Sequence, residues 1–186
     1  MCAVPEIEDL DLKGVDTVAI DLETYDPDLK KKGSGAVMKN GFVTGIAVAT
    51  HKQTLYFPIQ HAMTSNLDPK ETWFKLNNLI FQNEKIKKVF HNAMYDVCWI
   101  RSATGKMPKG PLLDTMIAAS VIDENRMKYS LDAISKDYLQ DTKYKWDLTE
   151  RSLSDHGIKD PMSNMHKLPY SLVKDYAEQD VSLTLR

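Results

Sequence analysis

At 186 residues, 42% hydrophobic and 27% charged, the chain has the length and composition of a soluble globular protein with one substantial core, so one domain is the default. Its 24 Lys and Arg against 26 Asp and Glu leave a net charge of -2, which excludes a general basic field for nucleic acid and confines any polyanion binding to a local surface. Cys2 and Cys98 are too few for a disulfide framework or a zinc cluster, no apolar run approaches the roughly 20 residues of a membrane span, and the start MCAVPEIEDLDLKG lacks the basic and apolar regions of a secretory signal, so a reducing, cytoplasmic setting is expected.

VAIDLETYD, residues 18–26, is the first element. As an extended strand it puts Val18, Ile20 and Leu22 on one face and Ala19, Asp21 and Glu23 on the other. Two carboxylates pointing the same way at the end of a buried strand repel each other and lose hydration, which raises a pKa or demands a cation, a divalent metal first among the candidates. Taken alone, the stretch leaves a second reading open, in which the strand ends at Asp21 and the acids are solvated turn residues. DPDLKKKGSGAVMKNG reads as an exposed loop. FVTGIAVAT and TLYFPI, separated by HKQ, predict an antiparallel hairpin with Pro58 at an edge or strand end, so the sheet begins with three consecutive strands. DPKETWFKLNNLIFQN predicts an amphipathic helix with Asp68 as N-cap, Pro69 at its first position, Glu71 completing a capping box, and Trp73, Leu76 and Ile80 on one face.

IKKVF predicts a short strand leading into HNAMYDVCWIRSA, a helix that Asn92 can cap and that carries Tyr95, Asp96, Cys98 and Trp99. GPLLDTMIAASVID repeats the pattern, with Leu112 and Leu113 as strand and Asp114 as cap of a short apolar helix, and YSLDAISKDYL follows as a helix capped by Ser130. Residues 141–168 are polar with weak periodicity, and a segment of that length inside a compact domain suggests a functional cover with a few short helical turns. PYSLVKDYAEQDVSLTLR closes the sequence as a helix with Pro169 near its start. Three strands followed by strands alternating with helices give an α/β domain with a mixed sheet. On the final helix Val173, Tyr176, Ala177, Asp180 and Leu183 share the apolar face, so Asp180 points inward and requires a partner, with Tyr176 one turn earlier. Asp96 lies near the start of a different helix, where the helix dipole favours an acid without any function.

DLET, HNAMYD and YAEQD, with LLDTM and SLDAI between the last two, resemble the three exonuclease motifs of the DEDD superfamily of 3'-to-5' exonucleases, in the branch with a tyrosine in the third motif. They most resemble the proofreading domain of family A DNA polymerases, the group of bacterial polymerase I and related phage enzymes, and the match runs from residue 17 to the C-terminus. The resemblance implies an RNase H-like fold, a mixed β-sheet flanked by helices, in which Asp21, Glu23, Asp96 and Asp180 hold two divalent cations, Mg²⁺ or Mn²⁺, roughly 3.5–4 Å apart. It implies that Asp21 bridges both ions, that Glu23 and Asp180 complete the first site, that Asp96 helps fix the second largely through water, and that Tyr176 with Glu23 orients the attacking water. Oxygen-only ligands suit these hard cations, and the lack of a His or Cys cluster argues against zinc. The implied reaction is hydrolysis of the last phosphodiester at the 3' end of single-stranded or frayed DNA, releasing nucleoside 5'-monophosphates, as in proofreading.

Thr24, Asn92 and Tyr95 match positions that contact the terminal nucleotides in that family, although Asn92 is equally a helix cap and Tyr95 equally core. His91 reads as a strand-end histidine and Asp114 as a cap. Pro27 stands where relatives place an apolar wedge for the terminal base, and Leu29 is the substitute. Lys30, Lys31, Lys32, Lys143, Lys145, Arg151 and Lys167 are candidates for a single-strand path, with Tyr144 or Trp146 stacking on bases, against the alternative of solvated surface. The expected partner is a C-terminal polymerase domain of a parent chain from which this monomeric domain was excised. Two rivals stand beside this reading: an RNA-processing exonuclease of the RNase D type, separable by its contact with the 2'-hydroxyl, and a catalytically silent docking module, against which the intact acids argue.

Overall fold

The computed structural model describes residues 3–141 and 145–186, and its centre is the strand that carries DLET. That strand, β1 (Thr17–Tyr25), runs four residues past Asp21, which removes the reading of the acids as solvated turn residues. With β2 (Phe42–Ala49), β3 (Thr54–Pro58), β4 (Lys87–Phe90) and β5 (Leu112–Asp114) it forms one sheet in the order β3-β2-β1-β4-β5. The first three strands pair antiparallel as the hairpin pattern predicts, with Pro58 ending the edge strand, while β4 and β5 run parallel to β1, so the sheet is mixed.

Two helical layers cover it. Val18, Ile20 and Leu22 face a core with Trp73, Leu76, Ile80, Phe81, Trp99 and Ile100, contributed by α3 (Pro69–Leu76), the π-helical turn that extends it (Asn77–Phe81), and α4 (Ala93–Thr104). Ala19 faces the opposite core with Leu168, Val173, Tyr176, Ala177 and Val181, where α8 (Tyr170–Leu185) lies across the sheet. Asp21 and Glu23 follow the parity of Ala19 and therefore point toward α8. A smaller cluster joins Leu183 to Ala119 of α5 (Thr115–Ile122) and to Leu131 and Ile134 of α6 (Leu131–Leu139).

Four local expectations are corrected. The stretch read as an exposed loop contains two helical turns, α1 (Leu29–Lys32) and α2 (Gly35–Met38). They are held by Asp26, whose Oδ2 accepts from Gly35 N at 2.8 Å, and by Asp28, whose Oδ2 accepts from Lys32 and from Asn40 Nδ2. Gly35 has to be glycine, since a Cβ there would overlap the carbonyl oxygen of Asn40. The capping box of α3 is half formed: Asp68 accepts from Glu71 N at 2.8 Å, but the Glu71 carboxylate turns to Lys75 at 2.6 Å, because an ion pair one turn on competes with the backbone. Ser130 occupies the N-cap position of α6 without a side-chain cap. The weakly periodic segment carries a twelve-residue helix, α7 (Lys145–His156), that buries Leu148 and Ser152. Side chains 142–147 lie outside the described residues, and with them the candidates Lys143, Tyr144, Lys145 and Trp146.

Candidate active site

Three elements deliver the acids to one place. On β1, Asp21 pairs with Ala47 and Glu23 with Gly45, and a bulge follows between Glu23 and Thr24. The parallel pairing of β1 with β4 ends at Ala19 and Val89, and beyond it Leu22 N–H donates to Asp96 Oδ1 at 3.1 Å. The first turn of α4 thus fills the gap where the two strands part. From the opposite side, α8 brings Tyr176 and Asp180, one turn apart on its buried face and hydrogen-bonded to each other. Glu23 is 8% exposed, Asp96 3% and Asp180 5%, whereas Asp21 is half-buried at the floor.

The three residues expected to touch nucleotides are also here. Thr24 Oγ1 lies 2.7 Å from Tyr95 Oη, which donates to Asp26 Oδ2 at 3.2 Å; with the phenol proton committed to Asp26, Thr24 is the donor of the first bond. Asn92 does not cap α4. It sits at φ 67°, ψ 54° with no side-chain cap, and its N–H and that of Ala93 are taken by Asp114 Oδ1 at 3.0 Å and Oδ2 at 2.7 Å. Asp114 also accepts from Met116 N at 2.9 Å, so it caps α5 and α4 together, more than the single cap expected. All eight residues, Asp21, Glu23, Thr24, Asn92, Tyr95, Asp96, Tyr176 and Asp180, line one cleft of about 650 Å³, a size usual for a small-ligand site.

A family model described as 3'-5' exonuclease matches residues 7–186. The chain belongs to the 3'-5' exonuclease domain family. A DNA-directed DNA polymerase of Pseudomonas phage M6 is 32% identical over 179 residues, which is 93% of this chain and 26% of the phage protein. DNA polymerase I of Borreliella burgdorferi is 26% identical over 185 residues, 97% of this chain and 18% of that polymerase. The matched segments span between 17% and 27% of the length of the curated polymerases. Among solved structures, Trypanosoma brucei RNase D in complex with GMP superposes with a TM-score of 0.69 at 18% identity, over 94% of this chain and 50% of that one. Brucella melitensis NrnC with bound Mg²⁺ superposes at 0.61 and 19% identity, over 95% and 71%. The fold of the exonuclease domain is accordingly RNase H-like, as the motif resemblance implied.

Exonucleases of this family depend on divalent metal ions, and the donor set fits such ions in kind. It offers carboxylate oxygens on rigid elements, which suit Mg²⁺ or Mn²⁺. The carboxyl of Asp96 is held well above its ordinary range, by burial first and by the charge of Asp21 second, with the Leu22 amide opposing. That strain is of the kind a cation relieves. As they stand, however, no three His, Cys, Asp or Glu side chains among the described residues are grouped closely enough to enclose an ion. Like charges gain by standing apart, and the set has the chemistry of a metal site without a closed cage.

Other candidates fall on both sides of the expectation. Pro27, Leu29, Lys30 and Lys31 line the cleft, while Lys32 pairs with Asp28 at 2.9 Å, and Arg151 and Lys167 are exposed and do not line it. His91 is at a strand end, 2.9 Å from Thr115 Oγ1, and also reaches the cleft wall. Asp26, Asp160, Met162, Ser163 and Met165 line the cleft without having been singled out. The Asp26 signal was its place just beyond DLET; the other four come from the segment before α8, whose path depends on tertiary contacts.

Proposed function

We propose that the domain removes nucleotides from the 3' end of single-stranded or frayed DNA, hydrolysing the terminal phosphodiester and releasing nucleoside 5'-monophosphates, and that within a longer DNA polymerase it serves proofreading. The observation that carries this reading is the convergence of four carboxylates and Tyr176, from β1, α4 and α8, on one cleft. The polymerase relatives favour DNA over RNA as substrate.

Asp21, Glu23 and Asp180 would hold one divalent cation, and Asp21 with Asp96 a second. When bound, such ions make a water nucleophilic near neutral pH and steady the leaving 3' oxygen. Burial first, then the charges of Asp180, Glu23 and Asp21, hold the Tyr176 hydroxyl far above its ordinary pKa, so it keeps its proton. With that proton directed at Asp180, the phenol oxygen accepts from a water and orients it rather than deprotonating it, and Glu23 accepts the other O–H. Thr24 and Tyr95, locked through Asp26, give a rigid polar edge to the terminal nucleotide, and Asn92 offers an amide not used as a cap. Leu29 supplies an apolar edge for the last base, and Lys30 and Lys31 a local positive charge for the strand behind it.

The polymerase portion of a longer chain is the proposed partner, with the domain itself monomeric and cytoplasmic. Helix α5 supports the partner: Ile117 is 58% exposed, Val121 77% and Ile122 71%, and only Ala119 of that helix is buried. An apolar face of this kind marks a contact surface. No helix among the described residues is long and apolar enough to cross a membrane.

The test is digestion of 5'-labelled single strands of DNA and RNA of one sequence, with Mg²⁺, Mn²⁺ or EDTA. Metal-dependent shortening of DNA from its 3' end, lost in a folded Asp21→Ala variant, is expected. Shortening of RNA alone would replace this reading with the RNase D type, and shortening of neither would leave a silent docking module.

A further inference from the structure

The edge strand β3 carries Tyr56, fully buried in the layer between the sheet and α8. Tyr56 is fastened to α8 directly and, through His61, to the segment that leads into it. Its backbone N–H donates to Glu178 Oε1 at 3.1 Å, and Glu178 lies midway between Tyr176 and Asp180 in sequence. Its hydroxyl is 2.8 Å from Nε2 of His61, itself buried, and His61 Nδ1 is 2.9 Å from the carbonyl oxygen of Leu168, two residues before α8 begins. A carbonyl only accepts, so Nδ1 carries the proton, Nε2 accepts, and the Tyr56 hydroxyl is the donor. Burial, the larger influence, lowers the His61 pKa, in keeping with a neutral ring. Two more bonds stitch the same segments together: Ala62 N to the carbonyl of His166 and Tyr170 N to Thr64 Oγ1, each 2.7 Å.

Toward the acids, the Tyr56 ring crosses Gly45, where a Cβ would overlap the ring and its hydroxyl. Gly45 is the strand partner of Glu23. Two side chains in series, Tyr56 and His61, therefore reach from the strand position beside Glu23 to the segment that launches α8. We propose that Tyr56 and His61 are positioning residues, which fix the rotation and axial setting of α8 so that Tyr176 and Asp180 face Asp21 and Glu23. Apolar packing alone is tolerant of small slides, whereas a buried chain of hydrogen bonds with one permitted tautomer is not. The cost of such a slide is steep, since a misplacement of about 1 Å in a catalytic group can lower turnover by about 10²-fold. The inference rests on reading the cleft as the exonuclease site.

Tyr56→Phe removes only the hydroxyl, and His61→Gln keeps a polar side chain whose one amide head cannot stand at both the Nδ1 and the Nε2 positions. With Mn²⁺ and a single-stranded oligonucleotide, kcat should fall about tenfold in each while KM stays within about twofold, because the nucleotide-contacting wall of Thr24, Asn92 and Tyr95 is untouched. In metal-free protein, amide hydrogen exchange should quicken along 170–180 and remain unchanged in β1 and α4. Unchanged kcat in both variants, or exchange that quickens throughout the domain, would overturn the proposal. Should the wild-type protein itself fail to shorten either nucleic acid, the exonuclease reading falls by that result alone. The exchange experiment then still decides whether Tyr56 and His61 position α8, with quickening confined to α8 sustaining that role and no change refuting it.

Discussion

Asp96→Asn is the substitution at which stability and activity should part company. Asp96 is 3% exposed, and burial together with the charge of Asp21 holds its carboxyl well above the usual range. In metal-free protein its ionised form is therefore the disfavoured one. With the folded-state pKa above the unfolded value, the native state binds more protons than the unfolded chain between the two. The stabilisation is fully present below the unfolded pKa of about 3.9 and is lost as pH rises through the folded one, by at most about 1.4 kcal/mol per pH unit for a single group. Asparagine keeps an oxygen for Leu22 N–H, bonded at 3.1 Å in the native protein, keeps the volume, and cannot ionise. In EDTA at pH 8 the variant should be more stable by roughly 1–2 kcal/mol, a rise in Tm of about 2–8 °C at this chain length. At pH 4 the gap should close. Divalent metal should reverse the order, since cation at 100 times its Kd stabilises the wild type by about 2.7 kcal/mol while a variant lacking one ligand gains less. Turnover should fall by about 10²-fold or more. Thermal melts at the two pH values, with and without Mg²⁺, decide the matter. If the variant melts no higher than wild type in EDTA at pH 8, or the gap is the same at pH 4, Asp96 is not a strained carboxylate and the electrostatic account of the cleft is wrong.

Tyr176→Phe should lower kcat by about 10–100-fold with Mn²⁺ affinity unchanged by calorimetry, and unaltered turnover would show that the hydroxyl orients nothing. Tyr95→Phe breaks the chain from Thr24 to Asp26 and should raise KM for the 3' end about tenfold with a smaller effect on kcat; a change confined to kcat would place Tyr95 outside the binding edge. Gly45→Ala pushes a methyl group into the Tyr56 ring and should cost about 1–3 kcal/mol in urea unfolding, whereas a neutral result would mean that the ring moves aside freely. Val121→Glu on the exposed face of α5 should change stability by no more than about 0.5 kcal/mol and leave exonuclease activity intact; a larger loss would show that α5 is packed within the domain itself.

The parts of the site that were legible follow from short-range periodicity. A repeat of two in VAIDLET fixed the side to which Asp21 and Glu23 point, and a repeat of three and four in YAEQD turned Asp180 inward, each as the structure has it. What escaped was decided by partners distant in sequence. Asn92 has the chemistry of a cap but loses that task to Asp114, twenty-two residues later, whose two oxygens serve two helix starts. Glu71 has the spacing of a capping box but meets Lys75. The turns α1 and α2 look like loop in composition because Asp26 and Asp28 supply their order from outside the helical residues. Tyr56 and His61 sit in a stretch that reads only as strand and turn, since the meaning of that histidine lies in a carbonyl 107 residues away.

The same contrast explains why the site stands where it does. Pairing of β1 with β4 stops at Ala19, yet β1 continues to Tyr25 on the strength of its antiparallel bonds to β2, so one side of the strand is rigidly held while the other opens. The opening exposes a backbone amide, Leu22 N–H, that Asp96 satisfies, and it leaves the carboxylates of Asp21 and Glu23 on a strand that cannot bend away. Acids on a mobile loop would relieve their repulsion by swinging apart into water. Here Glu23, Asp96 and Asp180 are buried on a strand and two helices, so side-chain rotation is the main freedom left to them. Relief must then come from protons, in keeping with the raised pKa of Asp96, or, on the proposed reading of the cleft, from cations, which rigidly held carboxylates would favour over neutral groups.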